Sequence, residues 1–226
     1  INALKDLNYE EATEIQKKAI PIALKKRDIL AAAQSGTGKT AAFLLPILTE
    51  LLANKQANKP ILRALILVPT RELATQISKA VNDFSKYMEV ESLAMVGGVS
   101  TKDQEKKIAK GLDILVATSG RLMEHLKNGT VDLSSVTTVV IDEVDTMLDM
   151  GFLEDIEKIL PSVGPKRQIM MFSATMNQNV KKLAKEFLTD PVVIEVAQQR
   201  SAVKIIDQQI VLVDEANKAA ALSYII

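Results

Sequence analysis

Eight consecutive residues, Ala33-Gln34-Ser35-Gly36-Thr37-Gly38-Lys39-Thr40, have the types and spacing of a loop that grips a chain of phosphates. Gly36 and Gly38 accept backbone conformations with positive φ, so successive N–H groups can curl around an anion with no Cβ in the way. A helix opening near Lys39 aims its unpaired N–H groups and positive dipole end at the same spot. The Lys39 ammonium suits β- and γ-phosphates, and the Thr40 hydroxyl suits the shell of a Mg²⁺ ion. The general pattern G-x-x-x-x-G-K-[ST] starts with glycine, where this chain has Ala33.

Such a loop needs a second, acidic group to hold metal and activate water. Val139-Val140-Ile141-Asp142-Glu143 supplies it: an apolar strand that runs into two carboxylates. In open α/β sheets ligands sit at the carboxyl ends of strands. Asp142 is expected to orient the metal's water beside Thr40, and Glu143 to position and deprotonate the attacking water.

The elements that must place these groups alternate along the chain. An apolar strand at 28–32 precedes the loop, and helical periodicity follows it towards Leu52. Strands are expected at 61–68, 90–96, 113–117, 136–141, 167–172 and 192–196. Helices are expected at 4–7, 12–24, 71–87, 101–109, 120–127, 153–160 and 180–188, with Thr13 as an N-cap and Pro21 near a boundary. The run 136–141 is almost entirely β-branched, as in a strand buried on both faces. This alternation predicts an α/β fold, a mostly parallel sheet with helices on both faces. Residues 198–204 lack periodicity and read as a linker, followed by a strand at 206–213 and a helical tail from Glu215.

Composition narrows the class. With 226 residues and 47% hydrophobic content, the chain suffices for one full core and a little more. Formal net charge is zero, so a nucleic-acid partner must be held by local groups. There is no cysteine, hence no disulfide and no thiolate metal site, which fits a reducing compartment. No apolar run has spanning length, and the start carries no export signal. The chain opens on Ile1, not methionine, and reads as a cytoplasmic piece of something longer.

The segments Ala33 to Thr40, Pro69-Thr70-Arg71-Glu72-Leu73, Asp142-Glu143-Val144-Asp145 and Ser173-Ala174-Thr175 occur in the order and spacing of the DEAD-box RNA helicases. The chain resembles the bacterial type and covers the first of that family's two RecA-like P-loop NTPase domains. By that resemblance, 1–200 is the ATP-binding domain, and 201–226 is a linker with the truncated start of the second domain. The resemblance implies that Tyr9, Thr13 and Gln16 read adenine. A glutamine amide offers the one acceptor and one donor that adenine's N6–H and N7 match. It assigns RNA backbone contact to Pro69, Thr70, Arg71, Glu72, Gly97, Gly98, Thr118, Gly120 and Arg121. It also assigns coupling of hydrolysis to strand separation to Asp145, Ser173 and Thr175. Three positions depart from the family pattern: Ala12 and Ser119 stand where it has proline, and Val144 where it has alanine.

The reading is therefore an ATP- and Mg²⁺-dependent RNA helicase domain with Lys39, Asp142 and Glu143 as catalytic groups and Thr40 and Asp142 as metal ligands. Single-stranded RNA is the expected partner, contacted largely without regard to sequence, and the chain is expected to be monomeric. A P-loop ATPase without a nucleic-acid substrate and a non-catalytic RNA-binding scaffold are the competing readings. His125 is expected to be exposed at a helix C-terminus. Met147, Met150, Met170 and Met171 are read as core fillers, and Lys102, Lys106, Lys107 and Lys110 as a solvated face.

Overall fold

The computed structural model describes residues 2–54, 60–196 and 211–225. Contacts divide the chain into two units, Ile1–Val196 and Ala197–Ile226.

In the first unit, helices α1 (Asn2–Asp6) and α2 (Glu14–Leu24) lead to strand β1 (Ile29–Ala32), the glycine loop and helix α3 (Lys39–Ala53). Then follow β2 (Ala64–Val68), α4 (Arg71–Phe84), β3 (Ser92–Met95), α5 (Thr101–Lys110), β4 (Ile114–Thr118) and α6 (Ser119–Lys127). The unit closes with β5 (Thr138–Ile141), α7 (Val144–Asp149), α8 (Leu153–Ile159), β6 (Gln168–Ser173), α9 (Gln178–Phe187) and β7 (Val192–Glu195). The seven strands form one sheet in the order β3-β4-β2-β5-β6-β1-β7. Every neighbouring pair is parallel.

Burial on both faces explains the strand sequences. Along β2, Ala64, Ile66 and Val68 face a core built with Ile15, Phe43, Leu44 and Val81 of helices α2 to α4. Leu65 and Leu67 face a second core with Leu122, Met147, Ile156 and Leu183 of α6 to α9. With both faces covered, a strand has no polar face to show, and β2, β5 and β6 are buried at every position.

Some expectations need correction. Pro21 lies inside α2, not at its boundary. Residues 144–149 form a helix that periodicity did not announce, because six residues are under two turns. Met147, Met170 and Met171 are fully buried, but Met150 is 51% exposed. The expected strand at 206–213 falls mostly outside the described residues, and 211–214 carry no strand. In the second unit a 3₁₀ turn (Glu215–Asn217) and helix α10 (Lys218–Ile225) are described, the latter with no buried residue. Among the described residues no helix is long and apolar enough to cross a membrane.

Candidate functional site

Because all seven strands run the same way, their carboxyl ends share one rim, and each candidate segment that follows a strand leaves from it. Ala33 N donates to Ser173 O at 2.9 Å, which anchors the start of the glycine loop on β6. Thr37 closes a turn on Gln34, its hydroxyl donating to Gln34 O at 2.7 Å. Gly36 and Gly38 have φ of +81° and +93°. A Cβ on Gly38 would collide with Gln16 Nε2 and press on Thr13 Oγ1, so glycine is required there twice over. Helix α3 begins at Lys39 with no side chain capping it, which leaves its first-turn N–H groups to the loop's interior.

Asp142 follows β5, two strands from β1, and is 2% exposed. Lys39 Nζ stands 3.7 Å from Asp142 Oδ1, an ion pair too long for a hydrogen bond. Lys39 Nζ is itself buried without any hydrogen-bond partner. Burial pushes the Asp142 carboxyl up to about 6, with the nearby Glu143 charge adding to the rise. The Lys39 charge and the Glu143 amide, which donates to Asp142 Oδ1 at 3.0 Å, work the other way. Glu143 is left-handed, with φ 54° and ψ 50°. A glutamate there carries backbone strain of about 1–2 kcal/mol, and such strain concentrates at functional sites.

Asp145 bridges to β6. Its Oδ2 accepts from Thr175 N at 2.9 Å and Thr175 Oγ1 at 3.0 Å. Burial works to raise its pKa, but the Ser173 and Thr175 hydroxyls and the Ala174 amide outweigh it, and the carboxyl stays below its ordinary value. Val144, larger than the family's alanine, is fully buried in the second core.

Thr13 and Gln16 lie against the loop. Gln16 is buried; its Oε1 accepts from Thr13 N at 3.0 Å and its Nε2 donates to Gly38 O at 3.2 Å. One lone pair and one N–H of the amide are left for a base. Tyr9 packs edge-on against Phe84, ring centroids 5.6 Å apart.

On the other half of the rim, Pro69, Thr70, Arg71, Glu72, Gly97, Thr118, Gly120 and Arg121 line one open groove of about 530 Å³. The Thr70 hydroxyl caps α4, accepting from Leu73 N at 3.2 Å. Gly98 has φ +76°, and a Cβ there would strike the Arg71 guanidinium. Arg121 lines the groove but points its donors inward. Nε donates to Val96 O at 3.2 Å, and Nη1 donates to Thr101 Oγ1 at 3.1 Å and Glu124 Oε2 at 2.6 Å. Nη2 donates to Val99 O. One of the five guanidinium N–H groups is left over. Ser119 is 1% exposed and its Oγ is unpartnered.

Sequence reasoning missed Glu124, Met150 and Phe152, which line the same groove. Gly151, at φ +83° between the last two, was the available signal that the chain turns back to the rim there. Lys102, Lys106, Lys107 and Lys110 are exposed as expected. His125 is not: it is fully buried between Gln104 and Thr130. The dipole argument placed it at a free helix end, whereas two polar side chains satisfy its ring in the interior.

The description DEAD/DEAH box helicase matches residues 13–183, and the chain belongs to that family. Its fold is the RecA-like domain of DEAD-box helicases. It is 44% identical over 192 residues to the ATP-dependent RNA helicase DeaD of Escherichia coli, covering 84% of this chain and 30% of that protein. It is 40% identical over 222 residues to the DEAD-box ATP-dependent RNA helicase RhpA of Helicobacter pylori, covering 98% of this chain and 44% of that one. The yeast DEAD-box splicing factor Prp28 superposes with a TM-score of 0.80 at 34% identity, over 86% of this chain and 47% of the other. A hypothetical ATP-dependent RNA helicase from Sulfolobus tokodaii gives 0.78 at 36% identity, over 86% of this chain and 56% of that one. The chain thus spans less than half the length of these curated relatives.

Proposed function

We propose that the chain is the first RecA-like domain of an ATP-dependent RNA helicase, with 1–200 forming that domain and 201–226 leading into a second. The observation that carries this is the pairing of an unbonded buried Lys39 ammonium with Asp142 at 3.7 Å, on the same rim as the groove at Thr70 and Thr118. A buried cation with no hydrogen-bond partner is costly unless a ligand anion completes it, and a triphosphate between the loop amides and Lys39 does so.

Among the described residues, no three acidic, histidine or cysteine side chains cluster as a metal site. That suits Mg²⁺, which takes one or two protein ligands and fills its shell with phosphate oxygens and water. Thr40 and Asp142 are the residues that would hold it, and the ion supplies charge neutralisation on the phosphates when bound. Glu143, fixed by its left-handed backbone, takes the proton of the attacking water. Gln16 reads adenine with its remaining amide capacity, beside Tyr9 and Thr13. Asp145 ties this half of the rim to Ala174 and Thr175, and Asp145, Ser173 and Thr175 link hydrolysis to strand separation.

RNA crosses the groove through its backbone. The N-terminal amides of α4 and α6 and the Gly97–Gly98 turn face phosphates, so recognition is of single strands and largely independent of sequence. The protein acts as a cytoplasmic monomer in this reading, and residues 1–226 by themselves hydrolyse ATP very slowly. The deciding measurement is ATP turnover by the full-length protein with and without single-stranded RNA. Stimulation that fades with salt supports the reading; turnover indifferent to RNA returns the chain to a P-loop ATPase with another substrate.

A further inference from the structure

The turn at Gly97 and Gly98 has an unusual support. Gly97 has open space where a Cβ would stand, and the Arg71 side chain lies against Gly98. A turn that must expose its amides to a phosphate cannot be held by burial, and here buried polar groups hold it from behind. Gln104 on α5, 2% exposed, donates from Nε2 to Val96 O at 3.1 Å. Its Oε1 lies 2.9 Å from His125 Nε2 on α6. His125 Nδ1 lies 2.7 Å from Thr130 Oγ1, which is also 3.0 Å from His125 O.

Protons can be assigned along this chain. Val96 O is an acceptor only, so the Gln104 amide nitrogen must face it and the Gln104 oxygen must face the imidazole. His125 Nε2 must then carry hydrogen. The Thr130 hydroxyl has one hydrogen, which it can direct to His125 O or to an unprotonated Nδ1. The opposite tautomer would turn the Gln104 amide around and set its oxygen against Val96 O, two acceptors face to face. Burial first, and then the Arg121 charge, hold the His125 pKa below its ordinary value, against the weaker pull of Glu124 and Glu105. Both effects favour the neutral ring.

We infer that His125 is a positioning residue for RNA binding: through Gln104 it fixes the Val96 carbonyl, and with it the adjoining glycine turn, in the form that receives an RNA backbone. This rests on the RNA reading given above. Arg121 completes the brace by gripping Val96 and Val99 from the groove side.

The test has two arms. His125 is the chain's sole histidine, so its imidazole nitrogens can be read without ambiguity by long-range ¹H–¹⁵N NMR of this chain. A neutral ring protonated on Nε2 is expected at neutral pH, and protonation on Nδ1 alone overturns the inference. The second arm compares His125→Phe, His125→Gln and Gln104→Met in the full-length protein. The Phe and Met variants should raise the RNA concentration for half-maximal ATPase by roughly tenfold while the KM for ATP at saturating RNA holds. His125→Gln, whose amide can still donate to Gln104, should recover most of that loss. If the His125→Phe protein does not fold, Gln104→Met, nearly equal in volume, carries the arm. An unchanged RNA requirement, or RNA and ATP requirements rising together in all three variants, overturns the inference. A wild-type protein indifferent to RNA would instead sink the helicase reading itself.

Discussion

Lys39 Nζ and Asp142 Oδ1 stand 3.7 Å apart, one on the first turn of α3 and the other just past β5, with β6 lying between β5 and β1 in the sheet. Both side chains are buried, and the separation exceeds a direct hydrogen bond. The pair joins the glycine loop to the end of β5 on one rim, as the proposed ATP site requires.

The raised Asp142 pKa gives a stability signature in the ligand-free chain. Its folded value of about 6 lies above the unfolded 3.8, so the native state binds more protons between them. The stability it contributes is complete below the unfolded value and is lost as pH rises through about 6. Asp142→Asn removes the titration but not the Lys39 charge. The stability of wild type relative to that variant should therefore fall on the order of 3 kcal/mol from about pH 4 to about pH 6.5, then level off. Urea melts without nucleotide at a series of pH values measure it, and a flat difference would place the carboxyl's pKa near its ordinary value.

Glu143→Gln keeps the shape of the side chain and removes the base. In the full-length protein, ATP hydrolysis should drop by about two orders of magnitude or more, while an ATP-dependent complex with RNA persists. Single-turnover hydrolysis and a gel-shift at fixed ATP separate the two effects. Undiminished turnover would strip Glu143 of the proposed role.

Gly38→Ala should fail on two counts. Its φ of +93° strains any L residue by about 1–2 kcal/mol, and the new methyl drives Gln16 off the loop. Both a lower denaturation midpoint and weaker binding of a fluorescent ATP analogue are expected. Gly36 also has positive φ, but a Cβ there meets nothing within 4 Å, so Gly36→Ala should show the strain with a smaller loss of binding.

Ser119→Pro should stabilise the chain by about 0.4–1 kcal/mol. Ser119 is the first residue of α6, where proline's missing N–H costs nothing, and Thr118 already has the extended backbone (φ −82°, ψ 142°) that precedes proline well. The change also removes a buried hydroxyl that has no partner. A thermal midpoint below that of wild type would count against this account of the loop.

The parts of the chain with short-range physical signatures could be read directly. Gly36 and Gly38 mark a backbone that needs positive φ, and the β-branched run before Asp142 marks a strand buried on both faces. The meeting of Lys39 with Asp142 depends on strand order, which local periodicity does not contain. What the sequence supports is Asp142 near Thr40, because a phosphate loop needs an acidic partner at the same sheet edge. His125 was misjudged for a related reason. A lone histidine near a helix end looks solvated until the glutamine of another helix, 21 positions earlier, is seen to bond its ring. Arg121 shows the same limit, since its partners Val96, Val99 and Thr101 lie 20 or more residues upstream.

The uniform strand direction has a practical consequence. Strand amino ends gather on the far side of the domain, where Asp28 accepts from Ile169 N and Thr189 N and Gln168 donates to Ala23 O and Arg27 O. An attachment chemistry confined to that far side, such as a biotin on an engineered cysteine at exposed Lys25, could tether the molecule to a surface with the rim of strand carboxyl ends facing solution. Since the chain has no cysteine of its own, such a handle would be unique among its residues.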